Sequence, residues 1–99
     1  MFHITATYWL SQLGELCSDT ENSHPVKDKD ECRTVFADIE KELGTGNVTE
    51  KVDYPYVEDW LLSRPNSCFF HSLTKVLHFN PGKGARNAED RQVCKMNGK

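Results

Sequence analysis

Four cysteines spread over almost the whole chain most constrain what this sequence can fold into: Cys17, Cys32, Cys68 and Cys94. A domain of 99 residues buries only roughly 60–65% of its unfolded surface, so its core alone gives marginal stability. In so short a chain, four cysteines indicate two disulfides, each contributing about 2–4 kcal/mol. No Cys-x-x-Cys spacing and no nearby histidine pair is present, which argues against a zinc site. We therefore expect one disulfide-stabilised domain over residues 1–99.

The segment 28–44 is the one long periodic stretch, and it predicts a helix over about residues 29–43. Its apolar side chains recur at steps of three and four, the spacing of one helix face: Cys32, Val35, Phe36, Ile39 and Leu43. Asp28 is placed to cap the first turn, and Glu31 to complete a capping box. Gly44 supplies the permissive backbone at the end. The pattern is typical of an amphipathic helix that covers a sheet.

Several short segments rich in aromatic and β-branched residues predict strands. The first covers residues 3–9 and continues toward 13. Residues 68–71 and 75–80 form a hairpin around a three-residue loop, and residues 92–95 form a terminal strand. The polar segment between Cys17 and the helix has the composition of a loop. The predicted fold class is α+β, with one main helix packed on a small antiparallel sheet.

Three disulfide pairings are possible for four cysteines. We favour Cys32–Cys68, because a cysteine on the buried helix face must meet a residue of the sheet. Cys17–Cys94 then ties the two ends of the chain together. A Cys17–Cys32 bond would contradict this arrangement.

The segment after the helix predicts a short second helix at about residues 56–63. Asp53 can cap it, Pro55 is tolerated in a first turn, and Trp60 and Leu61 share a face with Tyr56. An extended segment that runs into Pro65 is the alternative.

Two features indicate the compartment. Disulfides persist in oxidising environments such as the cell exterior. Asn47, followed by Val48 and Thr49, forms an N-glycosylation sequon just past the helix, where a surface loop belongs. No stretch approaches the roughly 18–20 apolar residues that span a bilayer. We expect a secreted glycoprotein without membrane insertion.

Charge is distributed unevenly along the chain. Residues 1–59 contain thirteen acidic residues and five lysines or arginines, whereas residues 60–99 contain two and seven. One interpretation is that the two halves attract each other in the fold. The other is a basic C-terminal face that binds an anionic partner such as a sulfated glycan.

The contexts of the cysteines share an ordered set of short motifs. They are Gly14 with Cys17, Glu31-Cys32, Leu43-Gly44, Pro65 with Cys68-Phe69, Val76 with Phe79-Asn80, and Val93-Cys94-Lys95. Together they resemble a small cysteine-paired domain of secreted proteins from algae and aquatic invertebrates. The chain departs from that pattern with Ser67 in place of glycine, with Leu77-His78 inside a strand motif, and with an insertion at residues 54–63. The resemblance implies an architecture, not an activity.

The sequence contains no convincing catalytic or metal-binding constellation. Ser72 beside His71 is adjacency only, because neighbouring strand residues point to opposite faces. Paired cysteines leave no thiolate nucleophile. His71 and His78 flank the hairpin loop as two half-exposed side chains, and a metal needs further ligands. On one exposed face they would make the hairpin pH-sensitive near pH 6–7. We expect no enzyme activity, cofactor or metal.

Aromatic residues with a nearby arginine are the usual anchors of an interface. Tyr54, Tyr56, Trp60 and Arg64 form the richest such cluster, and Trp9 is a second candidate. The alternative is that Tyr56, Trp60 and Leu61 only cover the sheet. We expect a non-enzymatic extracellular recognition module that binds a protein or glycan and no nucleic acid. A secreted inhibitor or toxin-like effector, or a structural subunit of an extracellular assembly, is the alternative.

Overall fold

The computed structural model describes residues 2–5, 7–44, 46–52 and 60–96 and has the predicted α+β class. Its strands are β1 (Phe2–His3), β2 (Tyr8–Leu10), β3 (Ser23–Pro25), β4 (Thr49–Glu50), β5 (Ser67–His71), β6 (Val76–Asn80) and β7 (Asp90–Met96). Its helices are α1 (Lys29–Leu43) and α2 (Trp60–Ser63), and a single 3-10 turn covers Cys17–Asp19.

Helix α1 begins and ends where the sequence predicted. Oδ1 of Asp28 accepts a hydrogen bond from the backbone N–H of Asp30 at 3.1 Å. At the other end the N–H of Gly44 donates to the carbonyl of Glu40 at 2.8 Å, and Gly44 has a φ of 98° that a side chain would oppose. The apolar face is buried as expected at Cys32, Val35 and Ile39.

Glu31 differs from the capping box that we predicted. Its carboxylate accepts hydrogen bonds from the hydroxyl of Tyr8 and, at 2.9 Å, from Nζ of Lys95. The bonds from Tyr8 and Lys95 lower the pKa of Glu31. Burial and the same carboxylate raise the pKa of Tyr8 to about 12. Glu31 therefore attaches the first turn of α1 to β2 and β7.

Strand β7 is the centre of the sheet, because it pairs antiparallel with β2, β3 and β5. The strand order is β1-β2-β7-β5-β6-β4, and β3 pairs with β7 off this path. The hairpin β5–β6 and the terminal strand confirm two sequence predictions. The strands that we predicted pair antiparallel. Strand β4, which we did not predict, runs parallel to β6, so the whole sheet is mixed.

The predicted first strand is wrong as a continuous element. Strands β1 and β2 pair with each other, with Phe2 opposite Leu10. Between them Oγ1 of Thr5 accepts hydrogen bonds from the N–H groups of Thr7 and Tyr8, each at 3.1 Å. Such side chain–backbone bonds favour a turn over an extended strand. The polar segment that we read as a loop contains β3, whose pairing with β7 compensates for its weak strand composition.

The second predicted helix is confirmed over its last turn. Helix α2 covers Trp60–Ser63, whereas residues 53–59, which include its predicted start, lie outside the described residues.

Both predicted disulfides are present, Cys32–Cys68 and Cys17–Cys94. The first joins α1 to β5 through the main core. The second lies in a smaller cluster with Trp9, which is 1% exposed. Trp9 as a second binding surface is therefore wrong, because its indole covers a disulfide inside the protein.

Candidate functional site

The sheet face opposite α1 carries a cluster of buried polar side chains. Cys68 points to α1, so the alternation of a strand places Phe69 and His71 on the other face. His78 is the cross-strand neighbour of Phe69 and shares that face. Both histidines are buried, which corrects the prediction of two half-exposed side chains. Their ring centroids are 6.5 Å apart.

Asp90 organises this cluster. It lies directly opposite His71 in the pairing of β5 with β7, and Oδ1 of Asp90 shares a 2.8 Å hydrogen bond with Nδ1 of His71. The guanidinium of Arg64 donates to Asp90 at 3.1 Å and to Glu89 at 3.0 Å. Burial raises the pKa of Asp90, an effect that Arg64 and His71 oppose. The buried carboxylate therefore has a cationic partner in Arg64 and a hydrogen-bond partner in His71.

His78 is held neutral. Burial lowers its pKa to about 4, and the nearby His71, Lys51 and Arg64 act in the same direction. Its ring stacks on Phe69 with centroids 5.4 Å apart. The prediction of a hairpin that titrates near pH 6–7 required an exposed pair, and burial removes that condition for His78.

We expect the domain to lose stability as the pH falls from about 6.5 toward 4 because of His78. In this window the unfolded chain binds a proton at His78, whose ordinary pKa is 6.5, while the folded state does not. At about 1.4 kcal/mol per pKa unit, the fall in the pKa of His78 from 6.5 to about 4 sets an upper limit of about 3.5 kcal/mol on the loss. Asp90 acts in the opposite sense, because its raised pKa favours protonation of the folded state.

Urea unfolding across this pH window, for the native protein and for His78→Gln, measures the effect. The variant should show a shallower fall in unfolding free energy as the pH decreases. Equal pH dependence in the two proteins would contradict a neutral buried His78. Comparing slopes, rather than absolute stabilities, separates titration from any change in packing.

The described residues do not assemble the catalytic or metal sites that the sequence analysis weighed. Ser72 donates its hydroxyl hydrogen to the carbonyl of Glu89 at 2.6 Å, and Nδ1 of His71 is bonded to Asp90. Within the described ranges, no group of three or more histidine, cysteine, aspartate or glutamate residues is arranged to hold a metal ion. The hydrogen bonds of the polar cluster join β5, β7 and the residue that follows α2.

The predicted aromatic binding surface falls mostly outside what the structure describes. Tyr54 and Tyr56 lie outside the described residues, and Trp60 is known only as the first residue of α2. Arg64 is described: its side chain is 15% exposed and forms ion pairs with Glu89 and Asp90. The binding role of these four residues stays a prediction.

Charged pairs join the acidic and basic halves of the chain, as one of our two interpretations predicted. Arg86 lies 2.7 Å from the carboxylate of Asp19, and Lys95 lies 2.9 Å from that of Glu31. Arg64 is paired within the basic half. Over the part of the chain that is described, Lys75 and Arg91 form no ion pair.

These two cations border an open cleft of about 310 Å³ that the sequence analysis missed. The cleft lies between the end of α1, the turn after β2 and the hairpin loop, and its lining comprises Leu13, Leu43, Asn47, Phe70, Ser72, Lys75 and Arg91. Leu13 is 50% exposed there. The sequence signal for this cleft was the apolar residue Leu13 before Gly14. The neighbouring residues do not indicate which part of the fold Leu13 lies against.

Strand pairing and backbone hydrogen bonds set the positions of the two residues that carry these cations. Arg91 lies opposite Phe70 in the pairing of β7 with β5. Lys75 closes the hairpin, since its N–H donates to the carbonyl of His71 at 2.8 Å and its carbonyl accepts from Thr49 at 2.9 Å. Its φ of 59° lies in the left-handed region, which is unfavourable for a lysine. The cleft therefore presents positive charge beside apolar side chains.

A second depression, of about 410 Å³, lies near the end of β6. Lys27 is the one cation in its described lining, and Asn66, Ser67 and Asn80 supply much of the rest. Its described lining does not combine two cations with an apolar wall, as the lining of the first cleft does.

The fold and its cysteines define a class of protein: a small two-disulfide α+β domain, whose disulfides indicate an oxidising, extracellular-type environment. No family model matches the chain, and neither curated proteins nor solved structures yield a match. Ser67, which stands where the resembled pattern has glycine, has a φ of 64° that favours glycine. The resemblance stays a prediction. None of the helices described here has the length and apolar character to cross a membrane.

Proposed function

We propose that this protein is a non-enzymatic, extracellular recognition module that binds an anionic ligand at the cleft beside the hairpin loop. The observation that carries the proposal is the position of Lys75 and Arg91 at one apolar cleft, without an ion pair among the described residues. Small ligand sites are typically concave and mostly apolar, with a few polar groups that orient the ligand. The smallest sites of this kind have volumes of about 300 Å³.

Electrostatics supports the same assignment. Three other cations of the basic half form ion pairs within the protein: Arg64, Arg86 and Lys95. These pairs compensate part of the positive charge of residues 60–99. Lys75 and Arg91, at the cleft, are among the cations that remain. Unpaired cations beside a low-polarity surface attract an anion more strongly than cations surrounded by water.

Secretion and N-glycosylation are part of this proposal. Asn47 is exposed, lies at the edge of the cleft and donates its side-chain N–H to the carbonyl of Leu43 at 2.5 Å. A glycan attached there would lie beside the ligand. Mass spectrometry of protein made in a eukaryotic secretory host, before and after glycosidase treatment, should reveal a mass difference that is lost in Asn47→Gln.

Binding of small anions and a sulfated oligosaccharide, each measured by calorimetry at low and high salt, tests the proposed function. We expect binding that weakens as salt rises, because the cations are open to solvent. The double variant Lys75→Gly/Arg91→Gln should bind more weakly than Lys83→Gln, which removes one cation elsewhere. Failure of every anion to bind, or equal binding by these variants, would contradict the assignment of the cleft.

A further inference from the structure

We propose that the ligand of this cleft is a small single-chain amphiphile: a carboxylate or sulfate head joined to a short hydrocarbon tail. This inference rests on the proposed function and narrows it from anions in general to one chemical class. Leu13 and Leu43, with the small exposed part of Phe70, form the apolar wall that accepts the tail. Lys75 and Arg91 accept the head.

The size of the cleft favours a small ligand. The cleft volume of about 310 Å³ lies at the lower end of the range for small-ligand sites. Octanoate is a short ligand of this class. A sulfated disaccharide is several times larger and would leave most of its surface outside the cleft.

The chemistry of the lining favours a hydrocarbon over a sugar. Sugar hydroxyl groups need several directed hydrogen-bond partners. Here the hydroxyl hydrogen of Ser72 is donated to the carbonyl of Glu89 and one amide hydrogen of Asn47 to the carbonyl of Leu43, which reduces the number of directed donors open to a sugar. The lining's aromatic ring, that of Phe70, is 7% exposed and gives no broad stacking surface. Leu13, half exposed, is instead a surface that an apolar tail would remove from water.

The backbone at Lys75 allows a clean substitution. Its φ of 59° is unfavourable for a lysine, and glycine or asparagine would fit the turn better. Lys75→Gly should therefore keep the fold, or stabilise it, while it removes one half of the site for the anionic head.

The test compares three probes that each contain one chain of eight carbons, counting the carboxyl carbon of octanoate: octanoate, octyl sulfate and octyltrimethylammonium, each below its micelle concentration. Calorimetry with the intact, disulfide-bonded protein should show saturable binding of the two anions at least about tenfold tighter than the cation, as expected when charge-assisted hydrogen bonds are lost. Butyrate, with the same head and half the tail, should bind more weakly than octanoate.

The variants locate the site. Lys75→Gly and Arg91→Gln should each weaken octanoate binding by about tenfold, and Leu13→Ser should weaken octanoate more than butyrate. Lys83→Gln, which removes a cation outside the cleft lining, should leave binding unchanged. Thermal melts of each variant confirm that the fold is retained. Equal weakening by Lys83→Gln would place binding elsewhere and overturn the proposal.

The same experiment separates the two levels of the argument. If the sulfated oligosaccharide binds through Lys75 and Arg91 but octanoate does not, the amphiphile is wrong and the recognition cleft stands. If neither binds, both are wrong. Equal binding of octanoate and octyltrimethylammonium would show nonspecific hydrophobic adsorption and overturn the anionic head.

Discussion

Reduction of the two disulfides is expected to abolish the cooperative thermal unfolding of this domain. The bonds Cys17–Cys94 and Cys32–Cys68 close segments with sequence separations of 77 and 36 residues. In the chain-entropy description, loops of these lengths correspond to about 4 kcal/mol each. A small domain has a total stability of about 5–15 kcal/mol, so the loss of both bonds removes much or all of it.

Calorimetry with and without reductant measures this effect. The paired variants Cys32→Ala/Cys68→Ala and Cys17→Ala/Cys94→Ala divide it between the two bonds. We expect both to lower the melting temperature, and the double loss to remove the transition. An unchanged melt under conditions that fully reduce all four cysteines, verified by thiol alkylation and mass spectrometry, would contradict the expectation.

Replacement of Asp90 by alanine should destabilise the domain by about 3–5 kcal/mol, the range for breaking a buried ion pair by removal of one partner. The side chain of Asp90 is fully buried, and that of Arg64 is 15% exposed. Without the carboxylate, Arg64 keeps Glu89 as a partner but loses its buried partner, and His71 loses its bond at Nδ1. The variant is therefore destabilised because the guanidinium of Arg64 stays mostly buried with one carboxylate partner fewer.

The chain contains a matched control for this prediction. Asp19 pairs with Arg86 at the surface and also accepts a hydrogen bond from the N–H of Leu16 at 2.9 Å, so Asp19→Ala should cost clearly less than Asp90→Ala because water can replace both partners. Urea unfolding of the two variants gives the comparison. A double-mutant cycle with Arg64→Met tests the coupling, since removal of both charges should restore part of the loss. Equal effects of Asp90→Ala and Asp19→Ala would contradict the role of burial.

Much of the architecture could be predicted from the sequence because its signals are local. The apolar period of α1 is a property of consecutive residues, and its cap at Asp28 lies within one turn. The hairpin β5–β6 joins adjacent segments. The disulfide Cys32–Cys68 followed from one additional step, namely that a cysteine on the buried helix face must meet the sheet, and the remaining pair was then determined.

Most of the errors come from contact between distant segments; the first strand is the exception, because local bonds to Thr5 form a turn there. Strands β3 and β4 are three and two residues long and exist because β7 and β6 supply their hydrogen-bond partners. Likewise, Trp9 was expected on a surface because alternation identifies two faces without showing what covers each of them. The histidines were read as half-exposed for the same reason.

The sequence by itself determined the main helix, the hairpin, the class of fold and the pairing of the cysteines, since helical periodicity and turn chemistry act over a few residues. Only the tertiary structure decided which polar groups are buried and where an open surface remains. Lys75 and Arg91 are sixteen positions apart, and they border one cleft because β5 pairs with β7 while α1 ends above them. Burial and charge pairing depend on packing of distant segments, and that packing brings these two cations to the same apolar surface.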